Sequence, residues 1–294
     1  MMKEITSQQV SQLVRELCIQ ANTILPQDLR NAICEACKAE ASPVGQAILG
    51  DLRENYEFAQ EKGLPICQDT GMAVVFVNWG QDCHLTGGSL EEAVNQGVAE
   101  GYVQGHLRLS VVGDPLRRVN TQNNTPAILH LQMVPGDQVE ITVAPKGFGS
   151  ENMTKMKMFN PSVTQEQVED FIVEAVSQAG SNPCPPVVVG VGLGGTSEKA
   201  AILAKRALLR PAGEWNADPF YREMEQRLLE RINRLGIGPQ GMGRYHHRPH
   251  RGHQALWHPH CRTALCGEPG LSRHPPCLWH TVTRKRNCEI FIKV

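Results

Sequence analysis

The chain has 294 residues, 41% of them hydrophobic, which is enough apolar material for one large core or two smaller ones. A formal net charge of −1 gives no general attraction to nucleic acid or anionic lipid, and no apolar run is long enough for a transmembrane helix. The N-terminus has no signal-peptide core, so we expect a cytoplasmic protein whose ten cysteines stay reduced and whose partners include neither nucleic acid nor a membrane.

Apolar periodicity predicts an N-terminal helical segment over residues 7–62, followed by short β-rich runs and further helices. In chain order, these later elements are a helix at 91–105, two strands at 126–134 and 138–143 that pair through the turn 135–137, a helix at 165–179, a buried strand at 187–192 and a helix at 197–209. The pattern indicates an α/β protein of the mixed α+β type, with a mixed sheet covered by helices.

Charge is distributed unevenly along the chain. Residues 244–294 contain eight of the eleven histidines and nine Lys or Arg against two acids, so this tail carries +7 while residues 1–243 carry −8. The tail also lacks the periodic apolar positions of a small domain. We therefore expect a catalytic domain over residues 1–243 and an aberrant, poorly structured His- and Arg-rich tail over residues 244–294.

The first candidate for chemistry is the turn Cys67-Gln68-Asp69-Thr70-Gly71, which precedes the apolar run 72–77. A thiolate at the rim of a sheet can bind a metal, and the amide of Gln68 and the carboxylate of Asp69 can hold a substrate or move a proton. On spacing alone, however, a single cysteine is more often a core residue than a ligand. The residues of the turn leave both interpretations open.

Two further segments are candidates for binding an anion. Arg108 has the planar guanidinium that holds a carboxylate through two hydrogen bonds, although a surface arginine at a helix end would look the same. In the segment 144–152, glycines on both sides of Phe148 allow backbone N–H groups to approach an anion, and Lys146 supplies positive charge. A flexible hairpin is the alternative for this segment, but its Lys, Ser and Asn favour a binding loop.

A second cysteine has a distinctive setting. Cys184 lies among three prolines in Asn182-Pro183-Cys184-Pro185-Pro186, and these prolines stiffen its backbone as a fixed ligand position requires. The glycine turn 194–195 follows the strand 187–192 and opens a helix, so it is a candidate anion site; with the strand glycines it reads Gly190-x-Gly192-x-Gly194-Gly195. Its spacing is not G-x-G-x-x-G and no acidic residue ends a following strand, so the sequence argues against a dinucleotide site.

Taken together, these motifs resemble those of the class I, iron-sulfur fumarate hydratases. They look most like the separate α subunit of the two-subunit form, which is related to the α subunit of L-tartrate dehydratase. The resemblance extends over about residues 1–243 and rests on the following motifs: Cys67-Gln68-Asp69-Thr70-Gly71, Leu107-Arg108-x-Ser110, Asn120-Thr121, Asn123-x-Thr125-Pro126-Ala127, Lys146-Gly147-x-Gly149-Ser150, Cys184-Pro185-Pro186 and Gly194-Gly195-Thr196.

The resemblance implies a 4Fe-4S cluster that is held by three cysteines and keeps one iron open to the substrate. Cys67 and Cys184 match two of these ligands. Asp69 matches a catalytic position, and Gln68, Arg108 and the backbone around Gly149 match positions that line the substrate. The resemblance also implies a separate β subunit that carries the general base. The implied substrate is a C4 dicarboxylate, either fumarate, which is hydrated reversibly to L-malate, or L-tartrate.

The resemblance stops after Gly243. There the family continues with a string like GTTTAL, and later with one that carries a histidine and the third cluster cysteine. If the codons are read one base later, residues 244–249 can give GTTTAL and residues 258–276 can give THIAGLPCAVNLGCHATRH. We therefore predict a one-base frameshift just after Gly243, through which the third cysteine ligand is lost at the position of Leu271.

Two alternatives remain, one for the structure of the tail and one for the activity of the chain. The tail could form a zinc module, but its spacing contains no tight C-x-x-C knuckle, which disfavours this interpretation. The candidate zinc ligands are His258, His260, Cys261, Cys266 and Cys277. The chain could also be an inactive subunit, because two thiolates hold a cubane cluster poorly.

Overall fold

The structure is a computed structural model that describes residues 3–242, 261–267 and 277–283. Its elements follow in this order: β1 (Lys3–Thr6), α1 (Ser7–Thr23), α2 (Gln27–Ala39), α3 (Pro43–Lys62), β2 (Met72–Gly80), β3 (Cys83–Thr86), α4 (Leu90–Gln104), β4 (Ile128–Val134), β5 (Val139–Lys146), α5 (Phe148–Glu151), β6 (Lys155–Met158), α6 (Gln165–Ala179), β7 (Val187–Leu193), α7 (Ser197–Ala207), α8 (Pro219–Asn233), a 3₁₀ helix (Pro239–Gly241), β8 (Cys261–Gly267) and β9 (Cys277–Thr283). Parallel and antiparallel strands pair in the sheets, so the predicted mixed α/β class is confirmed. Within the described residues, each helix is too short or too polar to cross a bilayer.

The described residues form two compact units. The first unit holds the residues up to Pro26 together with Asn55–Phe148, and the second holds Gln27–Glu54 and the described residues from Gly149 onward. Helix α3 contributes residues to both units. Each unit has a hydrophobic core of its own, and the predicted site residues are divided between the two.

The core of the first unit is built mainly from α1, α4 and the strands β2 and β5. Val10, Val14 and Leu17 recur at helical spacing on α1, and all three are buried. Helix α4 approaches α1 closely because it carries a glycine at the contact. A Cβ at Gly97 would lie 2.4 Å from the carbonyl oxygen of Ser11, so any larger residue would push the two helices apart.

Strand β2 is the middle strand of a three-stranded sheet with the order β4-β2-β5. It runs parallel to β4 and antiparallel to β5, so the residues before β2, the residues before β4 and the residues after β5 meet at one end of this sheet. The prediction that β4 and β5 pair with each other is wrong. The reason is that residues 74–77 are buried on both faces, and a buried strand needs a hydrogen-bonded neighbour at each edge.

In the second unit, α6 and α8 pack with β7 in one apolar cluster, and α7 packs directly on β7. Two glycines of β7 make this close packing possible. A Cβ at Gly190 would lie 2.3 Å from the carbonyl oxygen of Ala204, and a Cβ at Gly192 would lie 2.1 Å from that of Ala200. The bounds predicted for α6 and the location predicted for β7 are confirmed.

Two stretches of the tail form strands in the structure. β7 pairs in parallel with β8 and antiparallel with β9, and β9 also pairs with β6. The apolar strand β7 therefore has a neighbour at each edge. These two stretches are strands, although a poorly structured tail was expected, because the buried strand β7 needs hydrogen-bonded partners on both sides. The rest of the tail, including His258 and His260, lies outside the described residues. The expectation for that part, the domain boundary at 243 and the frameshift stay predictions.

Candidate functional site

The turn of residues 67–71 lies where β2 begins. The backbone N–H of Ile66 donates to the carbonyl of Asn22 on α1 at 2.9 Å, which anchors the chain immediately before the turn. Cys67 is half-buried, and its Sγ donates to Oε1 of Gln68 at 3.4 Å. The structure thus holds the thiol and the amide that the sequence predicted for the site side by side at the end of a buried strand.

This turn packs closely against the end of β5. Gly71 has a φ of +60°, and a Cβ there would lie 2.1 Å from the carbonyl oxygen of Lys146, so only glycine fits. A Cβ at Gly147 would lie 2.9 Å from Oδ2 of Asp69, which places the Asp69 carboxylate beside the first glycine of the predicted binding loop. Lys146 is only 7% exposed, so its side chain is enclosed at this sheet end.

Arg108 is joined to the turn 67–71 through Thr70. The N–H of Arg108 donates to Thr70 Oγ1 at 3.0 Å, and the Thr70 hydroxyl donates to the carbonyl of Arg108 at 3.2 Å. The buried hydroxyl of Tyr102 donates to the Thr70 carbonyl at 3.0 Å, and burial raises the pKa of Tyr102 well above its usual value, so it stays a neutral donor. Sequence reasoning missed the roles of Thr70 and Tyr102. Gln68 and Arg108 themselves are exposed.

A buried hydroxyl lies two residues after Arg108. Ser110 Oγ is enclosed and makes no hydrogen bond within the part of the chain that the structure describes. A buried hydroxyl without a partner costs roughly 1–3 kcal/mol, and in native proteins such an atom calls for a bound water, ion or ligand. The Arg-x-Ser spacing was visible in the sequence, but it did not indicate this burial. Ser110 is therefore a further group that a bound anion could use.

Gly149, on the short helix α5, and Cys184, in the loop before β7, lie close together in the second unit. Gly149 is exposed, and a Cβ there would lie 3.4 Å from the carbonyl oxygen of Asn182. Cys184 has a left-handed φ of 54° and is half-buried, and its Sγ lies 3.8 Å from that same carbonyl oxygen. The structure thus brings these two predicted residues together around Asn182. The other predicted site residues all lie in the first unit.

The predicted anion site at the start of α7 contains a carboxylate of its own. Thr196 donates its hydroxyl to Oε1 of Glu198 at 2.7 Å, and this hydrogen bond lowers the pKa of Glu198. A negative side chain in the first turn already complements the helix dipole. This arrangement disfavours a second anion at the glycine turn.

Residues 3–242 contain six cysteines, and none of these six forms a disulfide. Cys18 and Cys83 are buried, and burial raises the pKa of Cys18 to about 12, so Cys18 remains a neutral thiol rather than a thiolate ligand near neutral pH. The two loop thiols, at positions 67 and 184, suit the ligand roles that the resemblance implies. Across the described residues, no group of three or more His, Cys, Asp or Glu side chains could hold a metal ion.

Known proteins are similar to this chain over about the same residues that carry the motifs described above. Residues 11–247 match the family described as Fumarate hydratase (Fumerase). The chain is 40% identical over 240 residues to the "Putative L(+)-tartrate dehydratase subunit alpha" of Methanocaldococcus jannaschii, a match that covers 80% of this chain and 84% of the relative. It is 36% identical over 250 residues to the "L(+)-tartrate dehydratase subunit alpha" of Escherichia coli strain UTI89, and 35% identical to the protein of that name in strain K12, with 82% of each chain covered.

Proposed function

The chain belongs to the fumarate hydratase family, and from this premise we propose that it is the α subunit of a hydro-lyase that depends on a 4Fe-4S cluster. The proposed reaction is the reversible addition of water to fumarate, which gives L-malate. A separate β subunit is the proposed partner, and the naming of the relatives as alpha subunits supports it. We propose the cytoplasm as its location, because a reducing compartment keeps cysteines in the thiol form.

The observation that carries this proposal is the joining of Arg108 to the turn 67–71 through Thr70. The reaction requires a bound dianion, a polarised hydroxyl and the transfer of a proton beside a carboxylate. The Arg108 guanidinium suits one carboxylate of the substrate, and the amide of Gln68 suits a second polar contact. We propose Asp69 as the group of this chain that holds or moves a proton, with Gly149 contributing a backbone contact.

We propose Cys67 and Cys184 as two ligands of the cluster. When bound, the cluster would supply an open iron as a Lewis acid for the substrate. The third ligand is proposed to be lost through the frameshift after Gly243, and two facts support this. The family match ends at residue 247, close to the proposed slip, and codons read one base later can give a family string at residues 244–249. The frame-restored chain is defined as the product of deleting one base after codon 243.

L-Tartrate is the second candidate substrate, and a specific observation favours it. The relatives reported above carry the name of L(+)-tartrate dehydratase subunit alpha. Tartrate and malate are both C4 dicarboxylates with a hydroxyl group, so Arg108 and Gln68 suit either of them. The two candidates differ at the second hydroxyl of tartrate, for which a site needs one more hydrogen-bonding partner.

Assays with both substrates test the proposed function. The frame-restored chain, purified anaerobically with the β subunit, is expected to hydrate fumarate with a kcat/KM that exceeds that for L-tartrate dehydration by about tenfold or more. The measurements are the consumption of fumarate and the formation of oxaloacetate from L-tartrate. A larger kcat/KM for L-tartrate would assign the tartrate alternative. Activity on neither substrate would contradict both and would indicate a degraded, non-enzymatic subunit.

Replacing Arg108 with lysine is expected to weaken dicarboxylate binding. The Arg108→Lys variant keeps the charge but loses the planar fork, and hydrogen bonds to charged groups contribute roughly 1.5–3 kcal/mol. In the frame-restored chain with the β subunit, we therefore expect the KM for the dicarboxylate to rise roughly ten- to a hundredfold. Arg117→Lys, at an exposed loop position, is the matched control and should leave KM unchanged. An equal KM for the two variants would remove Arg108 from the site.

A further inference from the structure

Asn124 connects the two segments of the first unit that carry the predicted substrate residues. Its side chain is completely buried. Its Oδ1 accepts hydrogen bonds from the backbone N–H groups of Ser110 at 2.7 Å and Val111 at 3.1 Å, and its Nδ2 donates to the carbonyl of Gly71 at 3.0 Å. We call these three hydrogen bonds the Asn124 clamp. One amide group thus joins the segment that follows Arg108 to the last residue of the turn 67–71.

The clamp requires both halves of an amide. The oxygen accepts two N–H groups and the nitrogen serves one carbonyl, so a side chain that offers only an acceptor or only a donor leaves at least one of these backbone groups unpaired. An unpaired buried group costs roughly 1–3 kcal/mol, and here it would destabilise the contact between the turn 67–71 and the segment that follows Arg108. Asn124 also has a φ of 60°, a left-handed conformation that Asn, Asp and Gly adopt at low cost.

The clamp acts together with the Thr70 bridge. Thr70 joins the turn to Arg108, and Asn124 joins the turn to Ser110, so the two segments are fixed at two points on either side of Leu109. With the Ser110 amide held in this way, the buried Ser110 hydroxyl keeps a fixed position while it has no partner within the described residues. Two fixed points define the orientation of a segment, whereas one point would leave it able to rotate.

We propose that Asn124 is a positioning residue, which sets the relative placement of the Arg108–Ser110 segment and the turn 67–71 so that both can contact one dicarboxylate. This role rests on the proposed function, since it assumes that Arg108 and the turn bind the same substrate. Asn124 itself does not contact the substrate. Its effect on binding passes through the backbone of Ser110, Val111 and Gly71.

Amide hydrogen exchange on the full chain tests the clamp without cluster or substrate. Asn124→Gly removes all three hydrogen bonds without backbone strain, and exchange is expected to rise about tenfold or more in both clamped segments, residues 108–112 and 68–73. Asn124→Asp keeps the acceptor for Ser110 and Val111 but turns an oxygen toward the Gly71 carbonyl, so exchange should rise chiefly in residues 68–73. Gln122→Gly is the matched control, because Gln122 also has a positive φ, of 65°, and is exposed.

The outcomes separate a clamp from general stabilisation. Unchanged exchange in Asn124→Gly, an equal rise over the whole first unit, or the same rise in Gln122→Gly would overturn the proposal. If Asn124→Asp fails to fold, the comparison of Asn124→Gly with Gln122→Gly still decides whether the clamp exists.

Fumarate is the probe for the second part of the test. The parent here is the frame-restored chain with its reconstituted cluster and the β subunit. Added fumarate is expected to slow exchange in both clamped segments of this parent, and the same protein carrying Asn124→Gly should need about tenfold more fumarate for the same protection. Protection of the Asn124→Gly variant at the parent's fumarate concentration would overturn the positioning role. An absence of protection in the parent would count against the proposed function, while the ligand-free exchange would still decide whether the clamp exists.

Discussion

Restoring the reading frame after codon 243 is expected to convert a chain that holds little or no iron into one that binds a complete 4Fe-4S cluster. Cubane clusters depend on cysteine thiolates, and the chain offers two suitable loop thiols within its described residues, Cys67 and Cys184. The frame-restored chain regains a third cysteine at the position of Leu271, which lies outside the described residues. Iron and sulfide content after anaerobic reconstitution, with an absorption band at roughly 400 nm, is the measurement.

Two variants of the frame-restored chain show whether the iron is bound where we propose. Cys184→Ser is expected to lose the absorption band and most of the iron. Cys34→Ser changes a half-buried cysteine on α2 and should keep both. The frameshift hypothesis fails if the chain with the printed sequence already takes up a full cluster. It also fails if the coding DNA around codon 243 shows an intact frame with no one-base slip.

Replacing Glu225 with alanine is expected to cause a large loss of stability. Glu225 on α8 is completely buried, forms an ion pair with Arg210, and accepts the backbone N–H of Asn216 at 2.9 Å. Its removal leaves the largely enclosed guanidinium of Arg210 without this carboxylate, and breaking such a buried pair typically costs about 3–5 kcal/mol. That is a large share of the roughly 5–15 kcal/mol by which a domain is stable.

Urea unfolding at neutral pH measures this loss. Glu223→Ala changes an exposed residue on the same helix and should alter the free energy of unfolding by no more than about 0.5 kcal/mol. Glu225→Gln keeps an oxygen for the Asn216 N–H but removes the charge, so its stability should lie between those of the two alanine variants. Equal stability of Glu225→Ala and Glu223→Ala would show that the ion pair contributes nothing net.

The local structure of this protein could be predicted from the sequence. Helix α6 has the predicted bounds because its apolar residues recur at helical spacing after the capping residue Thr164, and these signals lie within a few residues of one another. The strand β7 was predicted from a short apolar run between prolines and a glycine turn. The family resemblance also came from short motifs, because each such motif is contiguous in the chain.

The tertiary structure decided which of these segments meet. Strand β2 lies between β4 and β5, although a hairpin was expected, because a strand buried on both faces takes two neighbours. Thr70 bonds Arg108 across 38 positions of the chain, and Asn124 bonds Gly71 across 53. No periodicity or spacing reveals such contacts, since they depend on which buried backbone groups remain unpaired after the sheet has formed. The sequence alone therefore indicated the chemistry of the turn 67–71, and only the fold showed how its orientation is held.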